Sequence, residues 1–501
     1  MRLYKTTATT IYSIETNYQM KKIILFIILC CTCLQHPAGQ TADDYVRQFD
    51  SFRQDISARF GTFRDSANRV YAEYLSHSWE AFQVEAPKPV PVKPLPIEDL
   101  RYDPAEDSTP VVLPVDTFAA PSWQDMESQL PEALEIKTLP GRQSLKINYF
   151  GTPVEMSRFD EFSNVRLPSI NEGHVSACWL QLSRQPWQPF ICELLLIKDE
   201  LNLNDWGFYQ LLVQAGDVYF PSAQVNEKVL FSVFMLNQAG YRVKTGRQGQ
   251  RLFPLVAFST EVYGRPFIAF PDGHYYVVSP DRVPGSGVVY SYRLNYGAAV
   301  AGMDLFIRKP FRLDMASRRS NLSFMDKSFR IEYNANLIAF YDTYPQTVLS
   351  VYADTPLSSS TRKSLETELL PALKEKTEEE ALAFLLAFVQ HAFAYKTDEE
   401  QFGYEKYFFA EELFHYPYSD CEDRAVLFSQ LVRRFIGLDV VLLDYPDHVA
   451  TGVKVRRMME GDCVIVNNER YIVCDPAYIG APVGRAMAKY RKMNARIIAL
   501  K

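Results

Sequence analysis

The sequence predicts an α+β protein of several domains, and three observations lead there. Segments with apolar residues at three- and four-residue steps alternate with segments of period two, so helices and strands are interleaved. The chain has 501 residues, more than one compact core accommodates. Two distant stretches also read alike: Leu230-Phe231-Ser232 and Leu427-Phe428-Ser429 are the same tripeptide, 197 positions apart (428 − 231).

The elements follow in order. Met20-Lys21-Lys22, the apolar run Ile23–Leu34 and small residues at 37–39 have the layout of a cleaved signal peptide, so 1–39 reads as an over-called start plus a signal beginning at Met20. Twelve apolar residues are too few to span a bilayer. The mature chain is therefore expected in a periplasm or outside the cell, without a membrane span. The residues before Cys30, Cys31 and Cys33 are not the small ones of a lipoprotein signal.

Residues 40–85 are expected as a long N-terminal helix, with Tyr45, Phe49, Phe52, Ile56, Phe60 and Phe63 on one stripe. The stripe packs on the body of the chain, a partner helix or a second copy. Residues 86–145 read as a proline-rich spacer, Pro87 to Pro96, and a surface wrap.

Residues 146–285 read as a degenerate copy of the C-terminal domain, 286–360 as a small β-rich domain, and 361–501 as the C-terminal domain itself. In the repeat both tripeptides lead through glycine into a Val-containing strand, Gly240-Tyr241-Arg242-Val243 and Gly437-Leu438-Asp439-Val440. Thr347-Val348-Leu349-Ser350-Val351-Tyr352 is among the strands expected in 286–360.

Composition excludes some functions. Aromatics are plentiful (33 Phe, 30 Tyr), which excludes general disorder. A net charge of −7 without a basic stripe argues against nucleic acid. Of 8 cysteines, those at 30, 31 and 33 leave with the signal; 178, 192, 421, 463 and 474 remain, an odd count that flags a free thiol. Cys463 and Cys474 flank a hairpin. With Asn468-Glu469 as its turn they face each other, as a disulfide or as two reduced core residues. Cys178 and Cys192 are a second pair that nothing local positions.

The chemistry lies in three residues. Cys421 opens an amphipathic helical run, in the first turn where the helix dipole favours an anion. Ser419 or Asp420 is expected to cap that helix. The acids Asp420, Glu422 and Asp423 oppose a thiolate unless they point away or pair with Arg424 or Arg433. His448 opens an alternating strand, and Asp475, before Pro476, ends the next strand pair. Nucleophile, base and orienting carboxylate are the three parts of triad chemistry. Cys421, His448 and Cys463 or Cys474 lack the paired short spacings of zinc sites, so neither metal nor cofactor is expected.

Asp420-Cys421-Glu422-Asp423-Arg424-Ala425-Val426-Leu427-Phe428, Asp447-His448-Val449-Ala450 and Tyr471-Ile472-Val473-Cys474-Asp475-Pro476 together resemble the cysteine, histidine and aspartate motifs of bacterial transglutaminase-like domains. The resemblance covers residues 361–490. It implies a papain-like core and acyl transfer through a thioester on a protein or peptide substrate, by hydrolysis or transglutamination. It also implies an oxyanion-binding side chain, for which Tyr395, Tyr404 and Gln390 are candidates. Ser419 stands where the family commonly has glycine. In the register of the repeat, Gln224, Arg251 and Val278 take the three catalytic positions, so the upstream copy would lack the chemistry. The alternative function is a non-catalytic binding or assembly protein on the same scaffold, docking through its N-terminal helix.

Overall fold

The computed structural model describes residues 64–77, 79–93, 97–106, 109–116, 139–278 and 287–501. The expected signal peptide, the expected helix before residue 64 and the expected wrap at 117–138 lie outside the described residues. Residues 67–501 form one unit of mixed α and β structure. Among the described residues no helix is long and apolar enough to cross a membrane.

Residues 67–75 are helical, and their apolar stripe packs back on the body. Tyr71, Ala72 and Leu75 are buried. Tyr71 meets Trp179 and Tyr296 edge-on, with centroids 4.9 and 5.5 Å away. Asn68 Oδ1 accepts from Trp179 Nε1 at 3.0 Å and Gln238 Nε2 at 2.8 Å. The helix does not continue to residue 85 as expected. Glu80–Gln83 is a strand paired antiparallel with Val288–Ser291, because alternate residues there meet a sheet edge.

Two six-stranded sheets dominate the unit. Upstream the order is Glu80–Gln83, Val288–Ser291, Val243–Gln248, Arg251–Ala257, Gly273–Val277, Phe267–Phe270. Downstream it is Val115–Asp116, Ala495–Ala499, Val440–Tyr445, His448–Val453, Glu469–Cys474, Cys463–Val466. The connectivity of the four strands after the preceding helix is the same in both. Those helices are Val225–Gln238 and Cys421–Phe435. The offset is 196 or 197 throughout: 440 − 243, 448 − 251 and 474 − 277 give 197, and 463 − 267 and 469 − 273 give 196. The outermost pairs differ, antiparallel upstream and parallel downstream.

Residues 287–360 do not form a β-domain of their own. Val288–Ser291 belongs to the upstream sheet, and only the hairpin Ser317–Phe324/Lys327–Asn334 stands apart. The expected strand at Thr347–Tyr352 is largely the helix Leu349–Asp354, with Leu349, Val351, Tyr352 and Ala353 buried. Tertiary packing overrides the β-branched pattern: Gln430 Nε2, on the long downstream helix, donates to the Thr355 carbonyl at 2.9 Å.

The downstream hairpin turns one residue earlier than expected. Asn467 (φ 51°) and Asn468 (φ 65°) occupy the left-handed positions of a two-residue turn, which asparagine tolerates. Val466 then pairs with Glu469, and Cys463 faces Ile472 rather than Cys474. All five described cysteines are free thiols. Val440–Tyr445 and His448–Val453 are buried on both faces, so the functional strand sits in the middle of the molecule.

Candidate active site

The helix Cys421–Phe435 starts where expected, and of the two expected caps, Ser419 and Asp420, the second takes the position. Asp420 is the N-cap. Its backbone N–H donates to Asp423 Oδ2 at 3.4 Å, the return half of a capping box. Cys421 is therefore the first helical residue, among N–H groups that have no intrahelical acceptor.

His448 and Asp475 are brought together, whereas no hydrogen bond joins the Cys421 sulfur to His448. His448 Nε2 lies 2.8 Å from Asp475 Oδ2, both groups buried. With Nε2–H donated to the carboxylate, Nδ1 is left as the basic nitrogen, and it is buried without a hydrogen-bond partner. The other oxygen of Asp475 accepts from the Ala477 and Tyr478 N–H groups at 3.0 and 3.1 Å, which fixes the carboxylate. Tyr490 stacks on the imidazole (5.1 Å, 13°), and its hydroxyl donates to Asp447 Oδ1 at 2.9 Å. The Val449 backbone N–H, next along the strand from His448, bears on the Cys421 sulfur and favours its ionisation.

The thiol itself is covered. Cys421 has no exposed surface, and its Sγ–H is shared between Glu422 Oε2 at 3.2 Å and the Lys93 carbonyl at 3.4 Å. Burial, then the carboxylates of Glu422 and Asp420, push the thiol well above its ordinary range. The expected relief by Arg424 or Arg433 is not found. Arg424 is buried and donates to the Phe393 carbonyl (2.7 Å), the Gln390 carbonyl (3.3 Å) and Ser419 Oγ (3.3 Å). Arg433 pairs with Asp354 at 3.0 Å.

The cover is the proline-rich segment, which is a strap rather than a free spacer. The Lys93 N–H donates to Glu405 Oε1 at 3.1 Å, and the Pro91 carbonyl accepts from Tyr407 OH at 3.0 Å. Lys93 Nζ is buried between Asp444 Oδ1 (2.6 Å) and the Tyr445 carbonyl (2.5 Å). Arg496 Nε shares Asp444 at 2.8 Å.

Of the three oxyanion candidates, Gln390 is a clamp. Its Nε2 donates to the carbonyls of Asp475, Tyr478 and Ala481 at 3.0, 2.8 and 3.1 Å, holding the loop that aims Asp475. Tyr404 is exposed (58%). Tyr395 is buried beneath Arg424, whose guanidinium lies 5.2 Å from the ring, and Cys421 is among the groups that raise its phenol. Lys93, Glu405 and Tyr490 were not legible as site residues. Lys93 and Glu405 lie in the spacer and in a loop, without a local pattern.

Four carboxylates crowd the start of the helix Cys421–Phe435. Asp398, Glu405, Asp420 and Glu422 each bring an oxygen within 4.8 Å of the others. Burial raises all four, and repulsion within the cluster adds to it for Asp398, Asp420 and Glu422, while Glu399 adds to it for Glu405.

No protein-family model matches this sequence, and neither a curated protein nor a solved structure matches it.

Proposed function

We propose that this protein is an exported thiol enzyme of acyl transfer, transglutaminase-like in its C-terminal part and held with its nucleophile covered. The observation that carries the reading is the buried His448–Asp475 bond, which leaves Nδ1 unpaired on the residue before Val449, whose N–H bears on the Cys421 sulfur. Once uncovered, Cys421 gives its proton to His448 Nδ1 and its sulfur bonds to the carbonyl carbon of an amide. The C–N bond breaks as His448 returns the proton to the leaving nitrogen, leaving a thioester. Water, or an amine where water is excluded, then attacks the thioester, and the thiol is released. The Cys421 N–H serves the oxyanion. The upstream sheet fits a duplicated copy whose equivalent positions are Gln224, Arg251 and Val278, none of which supports this chemistry.

A second reading, a binding protein on the same scaffold, draws on one observation: the thiol has no exposed surface. A peptide mixture incubated with the strap variant Lys93→Ala separates the two. New hydrolysed or amine-linked products, seen by mass spectrometry and absent when Cys421→Ala is added, support the enzyme. The same products from both variants would favour the binding protein.

A further inference from the structure

We propose that Asp398, Glu405, Asp420 and Glu422 form a binding site for one divalent cation of the calcium class, bridging segment 398–405 to the first turn of the nucleophile helix. Asp398, Asp420 and Glu422 are buried, and Glu405 is half-buried. A buried carboxylate needs a counter-charge or several donors. The neighbouring cations make their hydrogen bonds elsewhere, Lys406 Nζ to Glu412, Lys93 Nζ to Asp444, and Arg424 to two carbonyls and a hydroxyl, and act on Asp398, Glu405 and Asp420 only through space.

The second observation is the state of the oxygens. Both carboxylate oxygens of Asp420 and Oε1 of Glu422 are buried without a hydrogen-bond partner, although Asp420 has no exposed surface. Asp398 Oδ2 and Glu405 Oε1 accept backbone N–H groups of Lys406 and Lys93, at 2.7 and 3.1 Å, which fixes both side chains. These are marks of a preset oxygen cage.

The donor set identifies the class. It is all oxygen and carries four negative charges, which suits a hard cation rather than zinc or copper. Calcium–oxygen distances of about 2.3–2.6 Å put opposite ligands about 4.6–5.2 Å apart; for magnesium they are about 4.0–4.2 Å apart. The four oxygens all lie within 4.8 Å of one another, which admits either ion; a set of four carboxylates favours calcium, because magnesium keeps several waters and takes one or two carboxylates.

The test is calorimetric titration of calcium chloride into the chelator-treated full chain, with thermal midpoints read in parallel. One calcium bound per chain, a raised midpoint and a weaker response to magnesium are expected. Asp420→Asn and Glu422→Gln should each weaken calcium binding by about 100-fold or more, beyond the loss typical of outer-sphere changes. Asp475→Asn, which touches none of the four carboxylates, should bind as the unmodified chain does, so failure of the thiol chemistry and failure of this site are read separately. Absence of both heat and midpoint shift in the unmodified chain would overturn the proposal even if a variant did not fold. Unchanged affinity in both carboxylate variants would overturn it too.

Discussion

At the scale of residues, the account rests on a few buried polar groups whose bonds are directional. Asp475→Asn keeps the size of the side chain but offers an N–H donor to His448. It would then hold the imidazole in the wrong tautomer. Alkylation of an uncovered Cys421 should fall by about 100-fold or more, read as a rate by mass spectrometry. Gln390→Leu removes the amide whose two N–H groups are shared among the carbonyls of Asp475, Tyr478 and Ala481, and leaves them short of a donor. A loss of about 2–3 kcal/mol is expected, measured by urea unfolding. Cys421, His448 and Asp475 were legible because each stands at the boundary of an element, where a chemical side chain is conspicuous. Gln390 reads from sequence only as one polar residue in an apolar helix, and its task depends on a loop 85–91 positions away.

At the scale of elements, the strap decides accessibility. Its contacts with Cys421 and Glu405 join residues 328 and 312 positions apart, so no local pattern in a proline-rich tract announces them. Lys93→Ala removes the buried ammonium that anchors it, and Cys421 should then react faster with iodoacetamide at fixed pH. Strand registers carry a similar lesson. Asparagine at 467 and 468 offered two turn positions, and one residue of difference moved Cys463 from Cys474 to Ile472.

The upstream sheet offers a test of pH. Lys244 is buried, donates to the Arg293 carbonyl at 2.9 Å and lies near the Phe270 ring; burial pulls its pKa down to about 7. The unfolded value is about 10.4. Between these values the unfolded chain holds more protons, so this lysine makes stability rise with pH from about 7 to about 10.4. Its destabilising effect is full below pH 7. Lys244→Met should flatten that rise in urea midpoints measured from pH 6.5 to 9.5 relative to the unmodified chain.

At the scale of the whole molecule, residues 67–501 form one unit whose largest apolar cluster runs from Tyr71 to Cys474, with two smaller ones beside it among the described residues. A fragment limited to 361–501 would lose the helix Leu349–Asp354, the strap and the strand Val115–Asp116, all of which touch the downstream elements. Such a fragment should not fold on its own, shown by the absence of a cooperative thermal transition. The α+β class and the shared helix–strand order were legible in sequence, because a common tripeptide and glycine recur at a fixed offset. The outer strands were not, since Glu80–Gln83 and Val115–Asp116 are too short to carry a period.

The most direct test is the alkylation rate of Cys421 at neutral pH in three proteins: the full chain, Lys93→Ala, and Lys93→Ala with His448→Ala. Buried Cys178 and Cys474 serve as internal controls for unfolding. Slow labelling in the full chain, faster labelling of Cys421 alone in the strap variant, and its collapse without His448 are predicted. Labelling of the uncovered thiol at one rate with or without His448 would contradict a working thiol–imidazole pair.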